Sequence, residues 1–185
     1  FNKYNVIPDM TMFGKTIGNG YALTAVIGKR EVMEAAQKTF ISSTFWTERI
    51  GPTAALKTLE VMKKIESWNI ITQKGGKIRE GWQKIADENN VKISISGIPA
   101  LSTYSFLSKK TLEYKTFITQ EMLKKGFLAS TNFYASISHE DKYIEDYLSA
   151  LNEVYAIIGK CEAGDKDIHA LLEGPVCHTG FKRLN

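Results

Sequence analysis

One lysine stands apart by its surroundings. Lys15 lies in "MTMFGKTIGNGYALTAVIG", residues 10–28, after an apolar run and before a loop carrying Gly18 and Gly20. A second apolar run, Tyr21 to Ile27, follows at once. These are the residue types of a buried strand and a tight turn. An ammonium group in that setting either snorkels to the surface or is desolvated for chemistry. Burial disfavours the charged form and lowers the pKa, leaving an amine that can form a Schiff base with an aldehyde. The glycines allow positive φ and the close approach of a backbone or a ligand. Lys-x-x-Gly-x-Gly also arises by chance, and a surface lysine before a turn is the plainer alternative.

A second group of chemically able residues lies in "SSTFWTERIGPTAALKTLEVM", 42–62. Hydroxyls and loop N–H groups of this kind suit a phosphate dianion, although Thr44 taken alone is one of several hydroxyls in an ordinary turn. Arg49 has the fork that binds a carboxylate bidentately, although pairing with Glu48 on the surface is the preferred expectation. His139, in "SISHEDKYI", sits at a strand-to-helix junction, where a capping or surface role is usual. His169 and His178 share the tail with Cys177 at no metal-site spacing, so no metal is expected. Trp46, Trp68 and Trp82 read as packing residues, and Lys182 and Arg183 as a solvated basic end.

The elements that must hold these groups come next. The chain has 185 residues, 43% hydrophobic and 24% charged, enough for one large or two small domains. Its net charge of +4 comes from scattered basic residues, which argues against nucleic acid and is compatible with an anionic small molecule. Two cysteines, Cys161 and Cys177, fit reduced cytoplasmic thiols. No apolar run approaches the ~20 residues of a membrane span. The opening "FNKYNVIPDM" has no signal-peptide pattern and reads as mid-protein sequence.

Patterning predicts a strand over 20–28, a short helix over 29–37 and a loop over 39–51. Pro52 then opens a long helix whose apolar side carries Ala54, Ala55, Leu59, Val61 and Met62. Helical spacing continues over 73–90, as one helix broken near Gly75-Gly76 or as two. Residues 91–107 read as two strands, or one with a break, interrupted at Gly97 and Pro99. A helix over 110–126 has Leu112, Phe117, Ile118, Met122 and Leu123 at helical spacing and ends at Gly126. Residues 127–137 form a further strand region. A last helix over 138–160, with Ser138 as N-cap, carries Ile144, Leu148, Leu151, Val154 and Ile158. The fold class is α/β, and the change of texture near residue 90 suggests a second, small unit with an antiparallel sheet.

The segment "PDMTMFGKTIGNGYALTAVIG" resembles the active-site lysine segment of the class III aminotransferases, pyridoxal-phosphate enzymes of fold type I. The elements shared are Pro8-Asp9, the apolar stretch Met10 to Phe13, Gly14-Lys15, Ile17, the turn Gly18 to Gly20, and Tyr21 to Ile27. The segment 42–62 is similar to that family's Ser-Thr-aromatic loop and the alanine-rich helix after it. The resemblance implies that Lys15 holds pyridoxal 5'-phosphate as a Schiff base and moves the proton between substrate and cofactor. It implies that Thr44 binds the cofactor phosphate, usually that of the partner subunit in a homodimer. Where many members have Gly-Gly-Asn-Pro, this chain has Trp46 to Pro52.

The resemblance covers about residues 7–160 and implies a C-terminal fragment. Residues 1–65 would end the cofactor-binding large domain, 66–160 would form the small α/β domain, and 161–185 a tail. The aspartate that pairs with the cofactor's ring nitrogen would stand just before residue 1. The parent is thus expected to be an enzyme and this piece alone inactive. Within the family the chain looks like the glutamate-1-semialdehyde aminomutases and the transaminases. Mutases commonly carry a glutamate in the strand that Thr131 occupies here, and no acid lies between Glu121 and Glu140, which favours transfer between an amino donor and a separate carbonyl acceptor. An intramolecular aminomutase is the alternative, and a non-catalytic α/β binding domain the further one.

Overall fold

The computed structural model describes residues 4–180, so the expectation for Lys182 and Arg183 falls outside the described residues. The chain divides into two compact units, one ending at Glu66 and the other beginning at Ser67.

In the first unit β1 (Met10–Phe13) pairs antiparallel with β2 (Ala25–Gly28), with Met10 opposite Gly28 and Phe13 opposite Ala25. The predicted strand over 20–28 is therefore formed only in its last four residues. Asp9 closes the ribbon twice, its carbonyl accepting from Lys29 N–H and its carboxylate pairing with the Lys29 ammonium at 2.6 Å. The predicted helix over 29–37 is α1 (Arg30–Met33) continued by a 3-10 turn, Glu34–Lys38. After the loop, α2 (Ile50–Ile65) carries Pro52 in its first turn, where no intrahelical N–H bond is forfeited.

The apolar residues of this unit are largely exposed: Met12 is 76% and Ile27 58% accessible, and on the expected apolar side of α2 Leu59 is 50% accessible. Of α2 only Gly51 and Ala55 are buried. The sequence reads these runs as buried strand and helix face. A two-stranded ribbon has two faces, and no residue of either strand is buried within the unit.

The second unit has a conventional core. Its sheet has the order β3-β4-β5, all antiparallel, from β3 (Ile93–Ile98), β4 (Leu101–Phe106) and β5 (Asn132–Tyr134). On β4 the alternation places Ser102, Tyr104 and Phe106 inward. Three helices pack with it: α3 (Ser67–Glu88), α4 (Thr111–Lys124) and α5 (Asp141–Glu162). Gly75, Ile78, Trp82, Ile85 and Ala86 line the buried face of α3, and Ile144, Leu151, Val154, Tyr155 and Ile158 that of α5. On α4 the buried residues are Tyr114, Phe117, Ile118 and Met122, whereas Leu123, expected inward, is exposed. Trp82 is fully buried, meets Tyr104 edge-on at 4.6 Å, and donates from Nε1 to the Tyr147 hydroxyl at 2.9 Å.

The helical break falls at Glu66, in the left-handed region with φ 47°, and not at Gly75-Gly76. Gly75 serves a different purpose. A Cβ there would overlap the Pro99 carbonyl oxygen, so glycine lets α3 lie directly against the β3–β4 turn. Arg79 fastens the same turn from α3, donating to Gly97 O at 2.8 Å. The predicted strand over 127–137 shortens to three residues. After α5 the tail makes a 3-10 turn, Ile168–Leu171, with Ile168 fully buried, and is tied to α4 by Gln120 donating to Leu171 O and Cys177 N–H donating to Thr116 Oγ1. No helix among the described residues is long and apolar enough to cross a membrane.

Candidate functional site

Lys15 opens a 3-10 turn, Lys15–Ile17, directly after β1. Its φ is 52°, the left-handed region that costs a non-glycine residue roughly 1–2 kcal/mol, and backbone strain of this kind collects at functional positions. Of the two glycines behind it, Gly20 takes positive φ, 104°, and Gly18 does not. Gly18 is needed for space: a Cβ there would overlap the Tyr21 carbonyl oxygen, which follows it in the turn.

The lysine is exposed, contrary to the buried setting that its apolar neighbours suggest. It opens onto a cleft of about 400 Å³, lined also by Tyr21, Ala22, Leu23, Thr24, Ser43 and Phe45. The loop after α1 thus comes to the lysine's cleft, as its spacing in the sequence cannot reveal. A primary amine, two aliphatic hydroxyls and two aromatic rings suit a small aldehyde carrying an anionic group, in a cleft of ordinary ligand size. Pyridoxal phosphate is such a molecule.

Thr44 is exposed and begins the turn Thr44–Thr47; it does not line the cleft, whereas Ser43 and Phe45 on either side of it do. Ser43 and Thr24 line the cleft of Lys15, and sequence reasoning singled out neither. The Ser-Ser-Thr cluster drew attention to a loop that borders the cleft, but only the folded loop separates one hydroxyl from the next. Ser43 Oγ also accepts from Phe45 N–H at 3.2 Å, which shapes the turn.

Glu48 and Arg49 do not form the expected surface pair. The Glu48 carboxylate caps α2, accepting the N–H groups of Ile50 and Gly51. A carboxylate there satisfies orphan helix donors and complements the positive end of the dipole. Arg49 has no ion pair among the described residues. Trp46, expected to pack, is 72% accessible, because it lies in the exposed Thr44–Thr47 turn.

In the second unit His139 keeps a structural post. Its Nδ1 accepts from Ser136 N–H at 3.0 Å, and its ring lies 4.9 Å from that of Phe133. Burial, with the nearby Lys74 ammonium, pushes its pKa down, consistent with a neutral ring accepting a hydrogen bond. Lys74 ties the same junction by donating to the carbonyls of Ile137 and His139. The expected N-cap Ser138 is not used: α5 starts at Asp141 after Glu140.

The aminotransferase class-III family profile matches residues 1–155, and the chain belongs to that family. A curated relative, the 3-aminobutyryl-CoA aminotransferase of Cloacimonas acidaminovorans (strain Evry), is 30% identical over 85% of this chain and 39% of its own length. The glutamate-1-semialdehyde 2,1-aminomutase of Sulfurihydrogenibium sp. (strain YO3AOP1) is 27% identical over 82% of this chain and 40% of its own. The chain thus spans about 40% of the length of these curated relatives. Among solved structures, the PLP internal aldimine form of the Sphingopyxis sp. MTA144 FumI protein superposes on 92% of this chain and 42% of its own, with a TM-score of 0.80 at 19% identity. An omega-transaminase from Sphaerobacter thermophilus covers 83% of this chain and 40% of its own, with a TM-score of 0.74 at 19% identity. The α/β fold with antiparallel sheets is therefore part of the fold type I transaminase architecture.

Proposed function

We propose that the whole protein containing this chain is a pyridoxal-phosphate-dependent aminotransferase that moves an amino group from a small-molecule donor to a separate carbonyl acceptor. The observation that carries this reading is Lys15: an amine on a strained left-handed backbone, opening onto a cleft with Tyr21, Thr24 and Ser43, in a chain of the class-III family. When bound there, the cofactor would supply an aldehyde for the amine and a conjugated ring to take up the electron pair left by a departing proton. Lys15 holds it and carries that proton at its Nζ. Residues 1–65 belong to the cofactor-binding domain in this reading, 66–160 to the small domain and 161–185 to a tail.

Thr44 is assigned to the cofactor phosphate across a homodimer interface. Its exposure and its place outside the cleft lined by Lys15 of the same chain support a role toward a second copy. Thr44→Ala should weaken cofactor retention by about 1.5–3 kcal/mol, the worth of one hydrogen bond to a charged group. Equilibrium dialysis of the cofactor reads this directly, and unchanged affinity would remove Thr44 from the site. The two free cysteines, Cys161 and Cys177, fit a reducing cytoplasmic setting.

Transfer between two molecules is preferred over an aminomutase. Thr131 stands where mutases commonly have a carboxylate, and its carbonyl is engaged in the sheet by Tyr104 N–H at 2.9 Å. The test is kinetic: the whole protein receives glutamate 1-semialdehyde alone, then an amino donor with a separate carbonyl acceptor. Turnover that requires the second substrate is expected. Efficient conversion of the semialdehyde to 5-aminolevulinate alone would make the enzyme a mutase, and turnover in neither assay would favour a binding domain.

A further inference from the structure

We infer that Arg49 is the receptor for an anionic group, carboxylate or phosphate, on the amino donor or carbonyl acceptor, and so sets substrate specificity. The inference rests on the amino-transfer reading above. Its starting point is the fate of Glu48, the acid next in sequence. That carboxylate is committed to the first N–H groups of α2, which leaves the Arg49 guanidinium without an acidic partner among the described residues.

Arg49 lines a second cleft, of about 390 Å³, with Tyr21, Ile50, Thr53, Ala54 and Lys57. Two cations and two hydroxyls face this space and no acid lines it. Lys57 pairs with Glu60 at 2.8 Å, so Arg49 is the cation of this cleft that has no acidic partner among the described residues. A planar guanidinium with free donors is suited to bidentate binding of an oxyanion, and a hydroxyl beside it can donate to a further oxygen. Tyr21 lines both this cleft and the one that holds Lys15, so the two spaces adjoin through one side chain. A substrate that reacts at Lys15 and extends past Tyr21 brings its anionic end to Arg49.

The test compares the whole wild-type protein with Arg49→Gln and Arg49→Lys. Steady-state kinetics are measured for an amino donor with a distal carboxylate and for its neutral amide analogue. Arg49→Gln should raise KM for the anionic donor about tenfold or more, with kcat changed by less than about twofold and the amide unaffected. Arg49→Lys should recover part of the loss, and cofactor affinity should stay at the wild-type value. Equal effects on both donors, or none, would overturn the inference. So would a loss of cofactor affinity, which would assign the anion to the cofactor's own phosphate. Calorimetric titration with succinate and with inorganic phosphate separates the two readings. Succinate binding abolished by Arg49→Gln in a protein without transaminase turnover would keep the anion site and reject the reaction. Turnover indifferent to the donor's charge would do the reverse.

Discussion

Lys15→Ala in the whole protein is expected to lower kcat for amino transfer by at least about 10²–10⁴-fold, the range supplied by a positioned proton-transfer group. The loss should be larger still if covalent attachment also orients the cofactor. Fold stability should hardly change, because the lysine side chain is exposed and makes none of the ion pairs described in its unit. The backbone cost at φ 52° stays with alanine and would be relieved by glycine, so Lys15→Gly should be at least as stable as Lys15→Ala and as inactive. Added primary amines, small enough to enter a cleft of about 400 Å³, should restore part of the rate in either variant. A variant retaining more than about a tenth of wild-type turnover would mean that another group carries the proton.

Trp82→Ala is expected to remove a large part of the stability of the second unit, about 3–5 kcal/mol against the 5–15 typical of a domain. The ring is fully buried, supports Tyr104 edge-on at 4.6 Å, and its Nε1 satisfies the Tyr147 hydroxyl. Truncation would leave a cavity beside that hydroxyl. Trp82→Phe keeps most of the volume and deletes the donor, and should cost less, about 1–3 kcal/mol. Burial holds the Tyr147 phenol up at about 12, so at neutral pH it is protonated and acts as acceptor for Trp82 without titrating. Urea unfolding followed by far-UV dichroism ranks the variants. Equal midpoints for Trp82→Ala and wild type would show that the core is centred elsewhere.

Much of the second unit is legible in the sequence because its local patterns and its packing agree. The α5 stripe at Ile144, Leu151, Val154 and Ile158 is both periodic and buried, and alternation in β4 sorts Tyr104 and Phe106 from their neighbours. The misplaced helix break is instructive. Gly75-Gly76 looks like a breaker by propensity, yet Gly75 is small for contact with Pro99, and the turn is taken by Glu66. Propensity sees a residue's cost within a helix but not the neighbour that requires it.

The first unit is read less well, for one physical reason. Apolar content signals a need for cover without saying what supplies it, so Met12, Ile27 and Leu59 read as buried and stand exposed. The same limit applies at the site. Lys15 could be singled out by type and spacing, but Ser43 and Thr24 join it only through the fold of the loop. Arg49 and Glu48, adjacent and opposite in charge, invite pairing on paper; the open N–H groups at the start of α2 compete for the carboxylate and take it.

The central claim, that Lys15 is the covalent attachment point, is tested most directly by borohydride reduction of the cofactor-loaded whole protein followed by peptide mapping. The pyridoxyl group is predicted on Lys15, in the peptide containing Gly14 to Gly20. A pyridoxyl label on any other lysine, with Lys15 recovered unmodified, would contradict it.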